Sequence, residues 1–184
     1  MNNKMKVASA TVLMMLAGLT SASEGSPYAG EETREVKALS KSQVAGLLAG
    51  KGMGYGKAAE LNGYPGPAHV LELQEDLALT AEQRRRTEAT FLEMQAAAKD
   101  LGADLVAAEG ELDEAFRSKL VDDLSLAQLV KTIGDIESRL RAVHLGAHLQ
   151  QVQILNDHQI AKYMTLRGYD RAEPGRHHRH HSDK

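Results

Sequence analysis

The chain has 184 residues and a formal net charge of −3, with 42% apolar residues but no Trp, two Phe, five Tyr and no Cys. That length suits one ordinary domain with appendages, and the acidic balance argues against nucleic acid as a partner. The absence of Cys excludes disulfides, thiol catalysis, thiolate metal sites and a lipidated cysteine anchor.

Residues 1–23 read as a secretory signal, with Lys4 and Lys6, an apolar run from Val7 to Leu19 and small residues from Thr20 to Ser23. The run is too short to span a bilayer comfortably, so a cleaved leader and a periplasmic location are expected, with an uncleaved anchor as the alternative. Removal of residues 1–23 takes two Lys and no acid, which moves the formal charge from −3 to −5. Residues 24–39 mix Gly, Ser, Pro and charges without a period and read as a flexible lead-in.

From residue 40 the chain is punctuated by one phrase, in which Leu is followed by Ser, Thr or Asn and, three residues further on, by Gln. It occurs as Leu39-Ser40 to Gln43, Leu79-Thr80 to Gln83, Leu124-Ser125 to Gln128 and Leu155-Asn156 to Gln159. The chemistry is helix initiation: the short polar side chain accepts from an early helical N–H, and the Gln reaches back to the cap's own N–H. The preceding Leu is the outer half of a hydrophobic staple, with Val44, Leu129 and Ile160 as partners and only the stem of Arg84 after Leu79.

The phrase predicts a short helix from Ser40 to about Ala49. The Gly-rich stretch Gly50 to Gly56 lacks the spacing of a nucleotide loop and reads as a turn. A brief helix over Lys57 to Asn62 ends at Gly63, and Pro65-Gly66-Pro67 forces a turn before a helical pattern from His69 to Leu77. The long helix starts at Thr80 and runs to about Lys119. Its narrow seam is Phe91, Met94, Ala98, Leu101, Leu105, Ala108, Leu112 and Ala115. Gly102 and Gly110 inside it each cost up to about 1 kcal/mol relative to Ala, so tertiary contacts must hold the helix.

The short connection Val121 to Leu124 favours an antiparallel hairpin. The next helix carries a matching seam at Leu126, Leu129, Ile133, Ile136, Leu140, Val143 and Ala147, and a second apolar face at Leu145, Leu149 and Val152. The last helix spans Asn156 to about Leu166 and ends at Gly168. Residues 170–184 read as a disordered tail. The expected fold is therefore all-α: a long antiparallel helical hairpin with short N-terminal helices and a C-terminal helix. A core so poor in aromatics is thin, which makes a homodimer a natural supplement.

His144 and His148 lie four apart on one helix face and can share a metal through neutral imidazole nitrogens. They supply half a site; His69, an acid such as Glu137, or a second subunit would complete it. The alternative is two boundary histidines bonded to backbone or water. The tail histidines His177, His178, His180 and His181 can bind Zn, Cu or Ni loosely. His158, at the start of the last helix, reads as a surface residue. Arg84, Arg85, Arg86, Lys131, Arg139 and Arg141 place charge beside the apolar seams, as a solvated face or as part of a contact surface. No nucleophile, base and acid can be grouped, so catalysis is not expected.

Export, an all-helical hairpin and the phrase at Leu79 to Gln83, repeated with Asn156 in the Thr position at Leu155 to Gln159, resemble the Spy/CpxP family of periplasmic ATP-independent chaperones. That family has ZraP-like and CnrX-like metal-binding relatives. The resemblance covers about residues 40–169. It implies a small curved antiparallel dimer whose concave surface holds unfolded periplasmic proteins in envelope or metal stress. It also implies modulation by Zn2+ or another divalent transition metal or, in a sensor or metal-buffering role, signalling to a membrane partner.

Overall fold

The computed structural model describes residues 26–169. The leader expected over residues 1–23 and the tail with His177, His178, His180 and His181 lie outside them. The chain divides into two compact units, one ending at Glu32 and one beginning at Thr33. In the described part of the first, a turn closes between the Ala29 N–H and the Ser26 carbonyl at 2.9 Å.

Among its described residues, the second unit is helical throughout its regular structure. Its elements are α1 (Lys41–Leu48), α2 (Lys57–Glu60), α3 (Pro67–Glu72), α4 (Ala81–Arg117), α5 (Asp123–Val152) and α6 (Asp157–Leu166). The two longest, α4 and α5, form the expected hairpin. Among the described residues no helix is long and apolar enough to cross a membrane.

Three of the four phrases start helices as their chemistry requires. Ser40, Thr80 and Asn156 are N-caps whose side chains accept from the backbone N–H of Gln43, Gln83 and Gln159, while those glutamines accept from the cap N–H groups. At the third phrase the expectation fails. Helix α5 begins three residues earlier, with Asp122 as N-cap bonded to the Ser125 N–H at 2.8 Å. A carboxylate is at least as good a cap as a hydroxyl and adds negative charge at the positive end of the helix. Leu124 is consequently 81% exposed and staples nothing.

Two glutamines of the phrase do more than cap. Gln83 Nε2 donates to Gln159 Oε1 at 2.8 Å and to the Ile154 carbonyl at 2.9 Å. Gln159 Nε2 donates to the Leu77 carbonyl at 3.2 Å. The starts of α4 and α6, 76 residues apart in sequence, are thus tied by the same side chains that initiate them. One turn further along α4, Gln151 Nε2 donates to the buried Thr87 Oγ1 at 3.1 Å.

The seams of α4 and α5 meet as predicted in their middle stretches. Ala98, Leu101, Leu105 and Ala108 pack with Ile133, Ile136 and Leu140, and Leu47 of α1 closes the cluster. Each fully buried Leu or Ile contributes about 1.5–3 kcal/mol. Gly102 has a packing reason: it lets the backbone of α4 approach that of α1 at Leu47. A second cluster joins Val70 and Leu77 to Leu155 and Tyr163.

Three further departures concern the front of the unit and the end of α5. Helix α3 stops at Glu72, and the chain turns through Ala78, at φ +48°, instead of continuing helical to Leu77. This turn seats Leu77 in the second cluster. Val36, at the end of the expected lead-in, is buried, and Lys37 pairs with Asp113 of α4 at 2.9 Å. Late in α5 the covered face carries His144, Ala147, His148 and Gln151, whereas Leu149 is 58% exposed.

Candidate functional site

The glycine-rich stretch and α2–α3 wrap the late part of α5 and line an open cavity of about 620 Å³. Its walls come from residues 50–57, from α2 and α3, from Phe91, Met94 and Gln95 of α4, from His144 and His148 of α5, and from Arg167 and Tyr169. Three of the four histidines among the described residues line it, and so do two of the three methionines. The exception among the histidines, His158, is exposed.

Glycine is required where this wall meets His148. A Cβ at Gly56 would collide with His148 Nε2, and one at Gly66 would come within 2.9 Å of His148 Cε1. The stretch expected to be a simple turn is therefore a close-fitting cover over one imidazole. That imidazole is fixed from the other side, with Nδ1 2.7 Å from the Tyr64 carbonyl oxygen. A carbonyl accepts only, so Nδ1 carries the proton and, in the neutral ring, Nε2 keeps its lone pair.

His144 is buried, at 3% exposure, and its Nε2 has no hydrogen-bond partner. Its ring stacks on Tyr55, with centroids 5.8 Å apart and planes 8° from parallel. Arg141 covers Tyr55 at 6.0 Å. Burial, and then the neighbouring His148, push the His144 pKa below its ordinary value, which keeps the ring neutral.

Beside the histidines lies a polar hub that sequence reasoning missed. Glu60 is a buried acid on the four-residue α2. Its Oε1 accepts from the Tyr163 hydroxyl at 2.5 Å and stands 3.4 Å from both Arg167 Nε and His69 Nδ1. Its Oε2 is 3.8 Å from His148 Nδ1. Tyr163 is wholly buried, and burial, followed by Glu60, raises its pKa far above the ordinary value. The second ring nitrogen of His69 lies 3.5 Å from Arg167. The hub joins α2, α3 and α6 at one carboxylate.

This arrangement separates the predicted metal residues. His144 and His148 do share the cavity, but His69 is engaged by Glu60 and Arg167. Glu137, the suggested acid ligand, lies instead beside Tyr55 and Glu109. No group of three His, Cys, Asp or Glu among the described residues is arranged to hold a metal ion. A divalent cation at Glu60 would face the Arg167 guanidinium, so the hub does not fit a resident zinc. Of the six basic residues singled out, three pair within their own helices, Arg84 with Glu88 at 2.9 Å, Arg85 with Glu82 at 2.7 Å and Lys131 with Asp135 at 2.6 Å.

No family model, curated protein or solved structure matches the chain.

A different surface carries exposed apolar side chains. At the hairpin tip, Phe116, Leu120 and Leu124 are 54%, 82% and 81% exposed within nine residues. Arg117, Lys119, Asp122 and Asp123 stand between them.

Proposed function

We propose that the chain is an exported, ATP-independent holding chaperone of the Spy/CpxP type, which binds unfolded periplasmic clients on an apolar and charged helical surface. The observation that carries this reading is the hairpin tip, where three largely solvated apolar side chains alternate with four charges. Monomeric proteins rarely expose contiguous apolar groups without an interaction to serve, and interleaved charge keeps such binding loose and tolerant of sequence. The exposed Leu92, Val130 and Leu149 on α4 and α5 support pairing with a second copy. Light scattering of a denatured client, without ATP and at near-stoichiometric ratios, tests the reading. Suppressed aggregation is expected, and no suppression with several clients, with and without zinc, would overturn it.

A second reading, a metal-sensing or metal-buffering module coupled to a membrane partner, is favoured by the pairing of His144 and His148 in the wall of one cavity. It requires metal binding that survives removal of residues 170–184 and is lost in His144→Ala/His148→Ala. Binding that disappears with the tail would contradict it.

A further inference from the structure

Through its middle stretch the hairpin carries α1 on one side. Helix α1 lies against α4 at Gly102, five positions from Ala97 and so about 140° around the helix from it. On the Ala97 side the seam between α4 and α5 is open, as two adjoining hollows of about 410 and 400 Å³ that share Ala142 and Val143. Together they run from Thr90 to Asp104 on α4 and from Arg139 to Gln150 on α5. At the helical rise per residue this is a groove about 20 Å long.

The floor of the groove is made largely of small side chains, among them Ala97, Ala142, Gly146 and Ala147. Gly146 stands inside α5, where Gly is less favourable than Ala, yet nothing lies within 4 Å of a Cβ built there. Packing among the described residues therefore gives no reason for glycine at this position, and its absent side chain leaves the floor open to the backbone of another helix. The α4 edge is acidic. Glu93, Asp100 and Asp104 line the groove, and Glu111, seven residues past Asp104, continues the row. All four are exposed, and their carboxylates make no ion pair among the described residues. The α5 edge opposes them with one cation, Arg139, beside the uncharged Ala142, Gly146 and Gln150.

We infer that this groove binds a cationic amphipathic helix, which lays an apolar ridge over Ala97, Val143 and Gly146 and sets Lys or Arg against the acidic row of α4. The intervals from Glu93 to Asp100, Asp104 and Glu111 are seven, four and seven residues, the spacings at which side chains recur along one edge of a helix. A second copy of the chain suits the groove poorly, because two such faces would bring a row of acids from each copy against a single Arg139 from each. The exposed Leu92, Val130 and Leu149, which suit self-association, line neither hollow. The inference goes beyond client binding at the hairpin tip: it adds a second surface and a preference for basic helical segments.

The test uses the full chain and two labelled synthetic peptides of about 20 residues, long enough to fill the groove as a helix. One carries Leu and Ala on one face edged by Lys, and the other has Glu in place of every Lys. Fluorescence anisotropy should show binding of the Lys peptide that weakens as salt is raised, and no binding of the Glu peptide. Asp100→Asn/Asp104→Asn removes two charges from exposed positions and should weaken the Lys peptide by about tenfold or more. Gly146→Leu fills the floor where a Cβ meets nothing, and should weaken it by about tenfold or more while the unfolding midpoint holds or rises. The Asn variant carries the test alone if the Leu variant does not fold. Failure of the Lys peptide to bind, equal binding of both peptides, or unchanged binding in the folded variants overturns the inference. Sedimentation that shows a dimer, converted to monomer by Gly146→Leu and indifferent to the Lys peptide, also overturns it and gives the groove to a second copy.

Discussion

Replacing Gly102 by Ala sets two effects of known sign against each other. In a helix interior Ala is favoured over Gly by about 0.8–1.0 kcal/mol, so propensity alone predicts stabilisation. At this position the added Cβ would meet the main chain of α1, lying 2.7 Å from the carbonyl carbon of Leu47 and 3.2 Å from its Cα. Main chain has no rotamer to change, so α1 must move and lift Leu47, which is 3% exposed, from its cluster with Leu101 and Leu105. Overpacking of this kind costs about 1–3 kcal/mol. The net expectation is a loss of up to about 2 kcal/mol, a fall in melting temperature of up to about 6 °C. Gly134 is the control, since nothing lies within 4 Å of a Cβ there. Gly134→Ala should gain up to about 1 kcal/mol. Thermal and urea unfolding of both variants decide the matter, and a Gly102→Ala protein as stable as Gly134→Ala would refute the packing of α1 on α4.

Other consequences follow from single residues. The buried His144 has a folded pKa below its unfolded value, so the unfolded chain binds more protons as pH falls through the ordinary histidine range near 6.5. Its contribution is complete above that range and lost below it: stability should decline on acidification, and the slope should flatten in His144→Gln, as read by urea midpoints across pH. Glu109, raised by burial and then by Glu137, has the opposite sign. Its cost appears as pH rises above the ordinary carboxylate range, so Glu109→Gln should raise the melting temperature at pH 7 more than at pH 4. In a double-mutant cycle, Gln83→Ala and Gln159→Ala should show a coupling of about 1 kcal/mol through their shared bond, whereas two independent caps would add.

The helix starts were legible in the sequence because capping is local chemistry. Ser40, Thr80 and Asn156 each act within three residues of themselves. The same locality misled at Ser125, where a carboxylate three residues upstream competes for the role. The pairing of His144 with His148 followed from helical spacing. What no spacing could reveal is Glu60, an acid on a four-residue helix, buried by a tyrosine 103 positions away. Nor does a run of glycines announce that Gly56, and then Gly66, are small because an imidazole from α5 lies against them. The tie between Gln83 and Gln159 is of the same kind: each residue was visible as a cap partner, and their meeting depends on how α6 folds back on the start of α4.

The chaperone reading rests on the hairpin tip, and the tip can be changed without touching the core. Leu120 and Leu124 are the most exposed large apolar side chains among those described, so Leu120→Ser/Leu124→Ser should alter stability by no more than about 0.5 kcal/mol. In the ATP-free light-scattering assay the double variant should lose most of its suppression of client aggregation while its unfolding midpoint stays in place. Undiminished suppression by a folded double variant would contradict the assignment of client binding to this surface.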